Sequence, residues 1–218
     1  MKTPLLPLMQ FKLIWSVIGS ILVVSAFLIG VVVLLHWWKL IPFGVLTRDA
    51  ASTVGFPIYT GFLSQVGVLC WAASAAVCLF CAKILSKNQE DSETKSFLFA
   101  SGLLTLVLGL DDTFLFHEEL FPYFGIPQKI VEVGYIVFVL FYLIKFFSTI
   151  LKTEYLLLVM ALGFFGSSVA LDLFADHYDL HVILGMDENL LEDSVKLIGI
   201  VSWLTYFFRT GTATLCHL

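Results

Sequence analysis

Apolar residues fall in six long runs along the chain, and polar or turn-forming segments separate them. The runs lie at about residues 13–35, 56–85, 96–117, 130–148, 155–176 and 190–208. A helix of roughly 20 apolar residues crosses the hydrocarbon core of a bilayer. A helix also satisfies its own backbone polar groups, which lipid cannot do. The pattern predicts an all-α protein, an integral membrane bundle of six transmembrane helices, with residues 1–218 as a single transmembrane domain.

The segments between the runs support these boundaries. Residues 41–57 contain two prolines and two glycines, residues 86–96 (SKNQEDSETKS) are polar, and residues 121–129 (FPYFGIPQK) hold two more prolines. Such residues favour turns and loops. The first run ends in HWWK at residues 36–39, an aromatic and basic flank typical of a retained membrane helix rather than a cleaved signal peptide.

The basic residues predict the orientation of the bundle. With six spans, eight of the twelve Lys and Arg residues fall on the side that holds both termini: Lys2, Lys12, Lys83, Lys87, Lys95, Lys145, Lys152 and Arg209. Because positively charged loops are retained in the cytoplasm, both termini are expected to be cytoplasmic. Thirteen of the seventeen acidic residues fall on the other side. An acidic outer vestibule, which would concentrate cations, is therefore expected.

Composition excludes a soluble domain. The chain is 59% hydrophobic and 13% charged, whereas soluble domains are about 45–50% apolar and about 25% charged. The net charge of −5 gives no reason to expect a nucleic-acid partner. Cys78 and Cys81 form a CxxC, but within an apolar helix this pair is interpreted as small packing residues rather than a redox or zinc motif.

Polar residues inside the last four runs recur at helical spacing and form a stripe on each helix, with Asp111 on the face next to that of Asp112 and with Asp193 beside the stripe of Glu192 and Lys196. They are Asp111 and Asp112 in the third run, Glu132 and Tyr135 in the fourth, Asp172 and Asp176 in the fifth, and Glu192, Asp193 and Lys196 in the sixth. Such stripes normally face the interior of a membrane bundle. Alternate runs cross in opposite directions, so these residues are expected in one layer near the outer surface.

Several carboxylates around one lysine must take up protons, be open to water or hold a cation. The sequence therefore predicts a divalent metal site, with Asp111, Asp112, His117, Asp172, Asp176 and Glu192 as candidate ligands. Asp193 or Glu118 is the candidate catalytic base, and Lys196 the candidate partner of an oxyanion or phosphate. Oxygen ligands with one or two imidazoles suit Zn, Mn or Fe, and an all-oxygen set suits Mg or Ca.

Structural interpretations stand beside the metal site. Asp111 or Asp112 can cap a helix turn or form an ion pair with Lys196 that bridges the third and sixth runs. Lys196 can also serve as the counter-charge of Glu192 and Asp193 on its own helix. A retinal Schiff base at Lys196 is disfavoured by six spans and by the position of the lysine near the outer end of its run.

Two motifs carry a resemblance to known families. The pairing of DDTFLFHEE at residues 111–119 with LLEDSVK at residues 190–196 resembles uncharacterised small polytopic bacterial membrane proteins, over runs three to six. A more distant likeness is to the seven-helix metal-dependent hydrolases of the alkaline ceramidase type, which also cluster acids and histidines within a bundle. The last run here lacks their HxxxH, and the chain has one span fewer, so no zinc site of three histidines is implied.

The preferred hypothesis is a metal-dependent hydrolase or transferase that acts on a lipid headgroup, a reaction that rests on this analogy. The alternatives are an accessory or assembly subunit of a membrane complex, and a cation or proton transporter. The nearly apolar cytoplasmic halves of runs three to six disfavour transport. Membrane lipid is the expected partner, and a homo-oligomer or a larger complex stays open. The expected location is a bacterial inner (plasma) membrane, with the acidic site on the periplasmic side.

Overall fold

The structure is a computed structural model that describes residues 7–47, 53–57, 59–88, 92–175 and 188–216. The regular elements in these ranges are α1 (Pro7–Lys39), α2 (Phe43–Thr47), α3 (Phe62–Asn88), α4 (Ser92–Phe114), a π-helix (Phe116–Leu120), α5 (Phe121–Tyr123), α6 (Gln128–Lys145), α7 (Phe147–Ile150), α8 (Tyr155–Ala175) and α9 (Glu188–Cys216). No strand occurs within those ranges. The predicted all-α class is confirmed.

The chain divides into two units, residues 1–60 and residues 61–218. The first unit contains α1 and α2. Helix α1 ends at Lys39, and the next residue, Leu40, has a positive φ of 55°. His36 pairs through Nδ1 with the carbonyl oxygen of Ile41 at 2.8 Å and stacks on Phe43 at 3.9 Å between ring centroids. These contacts fix the turn between the two helices.

The core of the second unit is formed by α3, α4, α8 and α9, with α3 packed on α4 and α9, and α9 packed on α8. Small residues allow the close approach of these helices. A Cβ atom at Gly109 on α4 would lie 2.8 Å from Cβ of Trp71 on α3, and one at Gly199 on α9 would lie 2.8 Å from the ring of Phe165 on α8. A larger residue at Gly109 would push α3 and α4 apart, because Cβ of Trp71 is fixed to its backbone, whereas one at Gly199 would displace the Phe165 ring.

Aromatic rings fill the centre of this core. Trp71 stacks on Phe165 with ring centroids 5.5 Å apart, and Trp203 lies edge-on to Phe207 at 5.0 Å. The indole N–H of Trp203 donates to the hydroxyl of Thr105 at 3.0 Å. Cys78 and Cys81 are buried free thiols within the same core, which confirms their interpretation as packing residues.

Three helical segments among the described residues are long and apolar enough to cross a membrane: Phe62–Ser86, Glu93–Phe114 and Tyr155–Asp172. They correspond to the second, third and fifth predicted runs and indicate a membrane protein. Their boundaries correct the predicted ones. Helix α3 begins at Phe62 rather than near residue 56, because Gly55 and Gly61 both have positive φ. Helix α4 ends at Phe114 rather than at residue 117, because Leu115 leaves the helical conformation.

The fourth and sixth runs do not reach the same length and apolarity, so the structure supports three of the six predicted spans. In α6, charged residues leave only residues 133–144 uninterrupted, and the helix ends at Lys145, before Phe146 with its φ of −107° and ψ of 16°. In α9, Lys196 and Arg209 leave only residues 197–208 uninterrupted. The first run contributes a shorter apolar helix, Ser25–Lys39, within α1.

Candidate functional site

The C-terminal end of α4 is a local break in the helix. Leu115 adopts a left-handed conformation with φ 51° and ψ 47°, and the π-helix Phe116–Leu120 follows it. This conformation costs a residue with a Cβ atom about 1–2 kcal/mol, so other contacts must hold it. Strained backbone of this kind persists where the surroundings determine it, and it often occurs at functional sites.

Asp111 supplies those contacts. Its buried carboxylate accepts a hydrogen bond from the backbone N–H of His117 at 3.0 Å and from the hydroxyl of Tyr135 on α6 at 2.8 Å, and it pairs with Nδ1 of His117 at 2.5 Å. One carboxylate thus joins α4, the π-helix and α6. We call Asp111, His117 and Tyr135 the Asp111 network.

The Asp111 network orients the His117 ring. Because Nδ1 pairs with the carboxylate, the other ring nitrogen, Nε2, lies 3.4 Å from the carboxylate of Glu118. The hydrogen bond to Asp111 raises the pKa of His117, and the nearby charge of Glu118 adds to the effect. A carboxylate on one ring nitrogen of a histidine is also the arrangement that orients metal-binding histidines through their second nitrogen.

Asp112, the next residue, faces a different neighbour. Its carboxylate forms an ion pair with the ammonium group of Lys196, which joins α4 to α9. The Asp112 side chain is 10% exposed and that of Lys196 is 32% exposed. This contact confirms the alternative interpretation in which one of the two aspartates bridges the third and sixth runs through Lys196.

A small cavity of about 20 Å³ lies beside this ion pair, lined by Leu63, Ser64, Gly67, Asp112, Asp193, Lys196, Leu197 and Ile200. This volume is enough for one water molecule. The lack of a side chain at Gly67 on α3 leaves room for this cavity, since a Cβ atom there would lie only 3.1 Å from the side chain of Ile200. Three charged side chains and one hydroxyl therefore share a site for a single small ligand or water.

More carboxylates surround the ion pair than one lysine can neutralise. Lys196 interacts electrostatically with Asp112, Glu118 and Asp193. Glu192, one turn earlier on α9, is close enough to Asp172, Asp193 and Glu118 to be repelled by each of them. We call the five acids Asp112, Glu118, Asp172, Glu192 and Asp193, with Lys196, the acidic cluster. It lies where α3 and α9 begin and α4 and α8 end, and we refer to this as the acidic end.

The structure thus brings most of the predicted site residues to one end of the helices. The exception is Asp176, which lies outside the described residues. Asp111 and Asp112 are adjacent in sequence but point to different partners, so they do not act as one pair of ligands. Within the described ranges, no group of three or more His, Cys, Asp and Glu side chains is arranged to hold a metal ion.

Some contributors to the site carried little signal in the sequence. Tyr135 lies on the predicted stripe of the fourth run, but nothing in the sequence indicated its bond to Asp111. Ser64 and Gly67 lie in an apolar run without a motif. Glu132, on the same stripe as Tyr135, instead accepts a hydrogen bond from Gln128 of its own helix at 2.8 Å. The partner of each polar residue depends on how the helices pack together, and the helical periodicity of the sequence does not predict this packing.

Comparison with known proteins places the chain in a family. Residues 19–210 match the model of a domain of unknown function, DUF8692. The match covers most of the chain, so the protein belongs to this family. No curated protein and no solved structure matches the chain.

Proposed function

We propose that this member of the DUF8692 family is a six-span membrane protein whose acidic cluster binds a divalent cation at the outer face of a bacterial inner membrane. We further propose that the cation-loaded site hydrolyses or transfers a group on a lipid headgroup. Both termini would then be cytoplasmic. Supporting the alternation of the spans, the ends of α4 and α8 and the beginnings of α3 and α9 meet at the acidic end. The excess of lysine and arginine on the opposite side supports cytoplasmic termini.

The observation that carries the proposal is the charge of the acidic cluster. Four carboxylates, those of Asp112, Glu118, Glu192 and Asp193, interact with one ammonium group in a partly buried site, and Asp172 adds to the repulsion on Glu192. Ionised carboxylates in such a site repel one another, and desolvation increases the cost. A bound cation removes both penalties. The alternatives are protonation or full hydration of some of these groups.

The candidate ligands of this cation are the acids of the cluster outside the Asp112–Lys196 pair. Glu192 and Asp172 are half-buried, and Asp193 and Glu118 are more exposed. His117 adds an oriented imidazole at 3.4 Å from Glu118. Carboxylates with one imidazole suit Mn, Fe or Zn, whereas carboxylates alone suit Mg or Ca. A cation held there would polarise a carbonyl or phosphoryl oxygen and lower the pKa of a bound water.

Lys196 gives such a site a means of holding an anionic group. Its ammonium lines the small cavity together with Asp193 and Ser64. In the proposed orientation this cavity lies at the level where lipid headgroups meet the hydrocarbon core. A headgroup phosphate or carbonyl is therefore the substrate group that both the cation and Lys196 would contact.

The experiment that tests the reaction is headgroup release. The purified protein would be reconstituted in vesicles of mixed phospholipids and sphingolipids, and the lipids analysed by mass spectrometry with added Mn²⁺ or with a chelator. We expect turnover of one lipid class that the chelator abolishes and that Asp172→Asn and Glu192→Gln each lower by at least about tenfold. Glu154→Gln, which removes an acid just before α8 and at the end of that helix opposite the cluster, should retain full activity. No turnover with any divalent metal would contradict the enzymatic part of the proposal.

A second candidate function, an accessory subunit of a membrane complex, has an observation of its own. The Asp111 network satisfies its carboxylate entirely with partners inside the chain, and Asp112 is already paired with Lys196. Internally satisfied charges of this kind set helix position rather than bind a ligand. Under this function, Asp112→Asn lowers stability and the abundance of a co-purifying partner, and wild-type protein alone binds no stoichiometric metal.

A further inference from the structure

A second polar site lies at the end of α3 and α4 opposite the acidic end. A groove of about 360 Å³ runs between the last turns of α3 and the first turns of α4. Its apolar wall consists of Leu79, Ala82 and Phe99, and its polar residues are Lys83, Ser86, Lys95 and Ser96. Lys83 lies sixteen residues beyond Gly67 of the acidic end, which corresponds to about 24 Å along the helix.

The groove is basic. Lys83 comes from α3 and Lys95 from α4, so two helices contribute one cation each, and no described acidic residue lines the groove. Glu93, the described acid nearest in sequence, is not one of the lining residues, and it accepts hydrogen bonds from the hydroxyls of Ser148 at 2.9 Å and Thr149 at 2.8 Å. The N-terminus of α4 adds the positive end of its helix dipole to the same region. An anion is the complementary ligand.

The groove also has a long apolar side. Phe99 is 52% exposed although it lies within an apolar helix. Leu79 is held in place against α4, since a Cβ atom at Gly102 would lie 2.7 Å from its side chain. A free inorganic anion uses none of this surface. A phospholipid uses all of it, because its phosphate meets the lysines and serines while an acyl chain covers Phe99 and Leu79.

We propose that this groove is a binding site for one anionic phospholipid, with the phosphate between Lys83 and Lys95 and one acyl chain along Phe99. Ser86 and Ser96 add polar side chains to the wall of the same groove. The site is independent of the acidic cluster and of its proposed activity. In the proposed orientation it faces the cytoplasmic leaflet, where basic pockets between membrane helices bind anionic headgroups.

The test is native mass spectrometry of the detergent-solubilised full chain with added dioleoylphosphatidylglycerol, compared with dioleoylphosphatidylcholine at the same concentration. We expect one phosphatidylglycerol bound per chain in preference to phosphatidylcholine. The double variant Lys83→Gln/Lys95→Gln should weaken its binding by about 25-fold, since each lysine near an anionic headgroup contributes about fivefold. Phe99→Ala should weaken both lipids equally.

The matched control is Lys152→Gln, an exposed lysine outside the groove on the loop before α8. It removes one positive charge on the same side, as each of the two groove substitutions does, and should leave phosphatidylglycerol binding unchanged. Circular dichroism and the unfolding temperature of each variant confirm that it is folded. Equal binding of the two lipids would overturn the proposal. So would displacement of the lipid by millimolar inorganic phosphate, or a Lys152→Gln variant as weak as the double variant.

Discussion

The two ends of the four-helix core differ in whether their charged side chains are buried. At the acidic end, charged side chains from α4, α8 and α9 are drawn together and partly buried, as in the Asp112–Lys196 pair. Toward the other end, the buried polar groups are uncharged hydroxyls, such as Ser101 paired with Tyr142 at 2.6 Å. The ion pair Glu154–Arg209 at that end lies at the surface, with side chains 52% and 57% exposed.

This difference separates structural polarity from candidate chemistry. Paired hydroxyls in a core cost little and fix the helices relative to one another. Clustered carboxylates within a membrane bundle are costly and are typically retained for a function. An exposed ion pair contributes little to stability and gives no reason to expect a functional site. The acidic end is therefore where function is expected, and perturbations at the two ends should differ in kind as well as in size.

The largest expected effect follows from breaking the Asp112–Lys196 pair. Asp112→Ala leaves the ammonium of Lys196 in a partly buried site without its ion-pair partner, which should lower the free energy of unfolding by about 2–3 kcal/mol. The double variant Asp112→Ala/Lys196→Met should recover part of that loss. Unfolding in mixed micelles of mild detergent and SDS measures both. A change as small as that of Lys152→Ala, at an exposed site, would show that the pair is not formed.

A slightly smaller loss of unfolding free energy is expected when the close contact between α4 and α3 next to the acidic end is disrupted. In Gly109→Ala the new Cβ atom meets Cβ of Trp71, which is fixed to its backbone, so the helices must separate. Overpacking of this kind costs about 2 kcal/mol. Gly163→Ala makes the same change where nothing lies within 4 Å and should be neutral or slightly stabilising. Equal unfolding free energies for the two variants would contradict the close packing.

At the end of the core opposite the acidic end, the expected loss of unfolding free energy is smaller. Tyr142→Phe removes the hydroxyl that pairs with Ser101, but Ser101 still donates to the carbonyl oxygen of Phe97 at 2.7 Å. Since no buried group loses its last partner, the loss should be about 1 kcal/mol. Tyr123→Phe, at a residue 72% exposed, is the matched control. A loss as large as that of Asp112→Ala would erase the contrast between the two ends.

The smallest effect is expected at Glu154, and it depends on pH. The hydrogen bond from Arg209 lowers the pKa of Glu154. A lowered pKa in the folded state stabilises the protein above the unfolded pKa, and this contribution is lost as pH falls through the folded value. Because the pair is exposed, Glu154→Gln should lower the unfolding temperature at neutral pH only slightly, and the difference from wild type should vanish as the pH falls below about 4.5. A clear destabilisation at neutral pH would contradict this.

The sequence contains the helices and their polar faces but not the partners of the polar residues. Period and turn signals placed the fifth run at about 155–176, and α8 occupies Tyr155–Ala175. The break at Leu115 was not predicted, because a left-handed residue is usually signalled by glycine or asparagine and here it is a leucine held by the Asp111 network. Helical spacing places Asp111 and Asp112 on neighbouring faces, but the partner that each meets depends on how α6 and α9 lie relative to α4, which no single-helix pattern encodes.

Metal content tests the central claim most directly. The wild-type protein, purified in detergent without chelator, would be analysed by inductively coupled plasma mass spectrometry beside Asp172→Asn/Glu192→Gln and the control Glu154→Gln. A cation at the acidic cluster predicts about one divalent ion per chain in wild type and control, and at most about a tenth of that in the double variant. A folded wild-type protein that carries no divalent metal, and takes up none when Mn²⁺, Zn²⁺, Mg²⁺ or Ca²⁺ is added, would contradict the account.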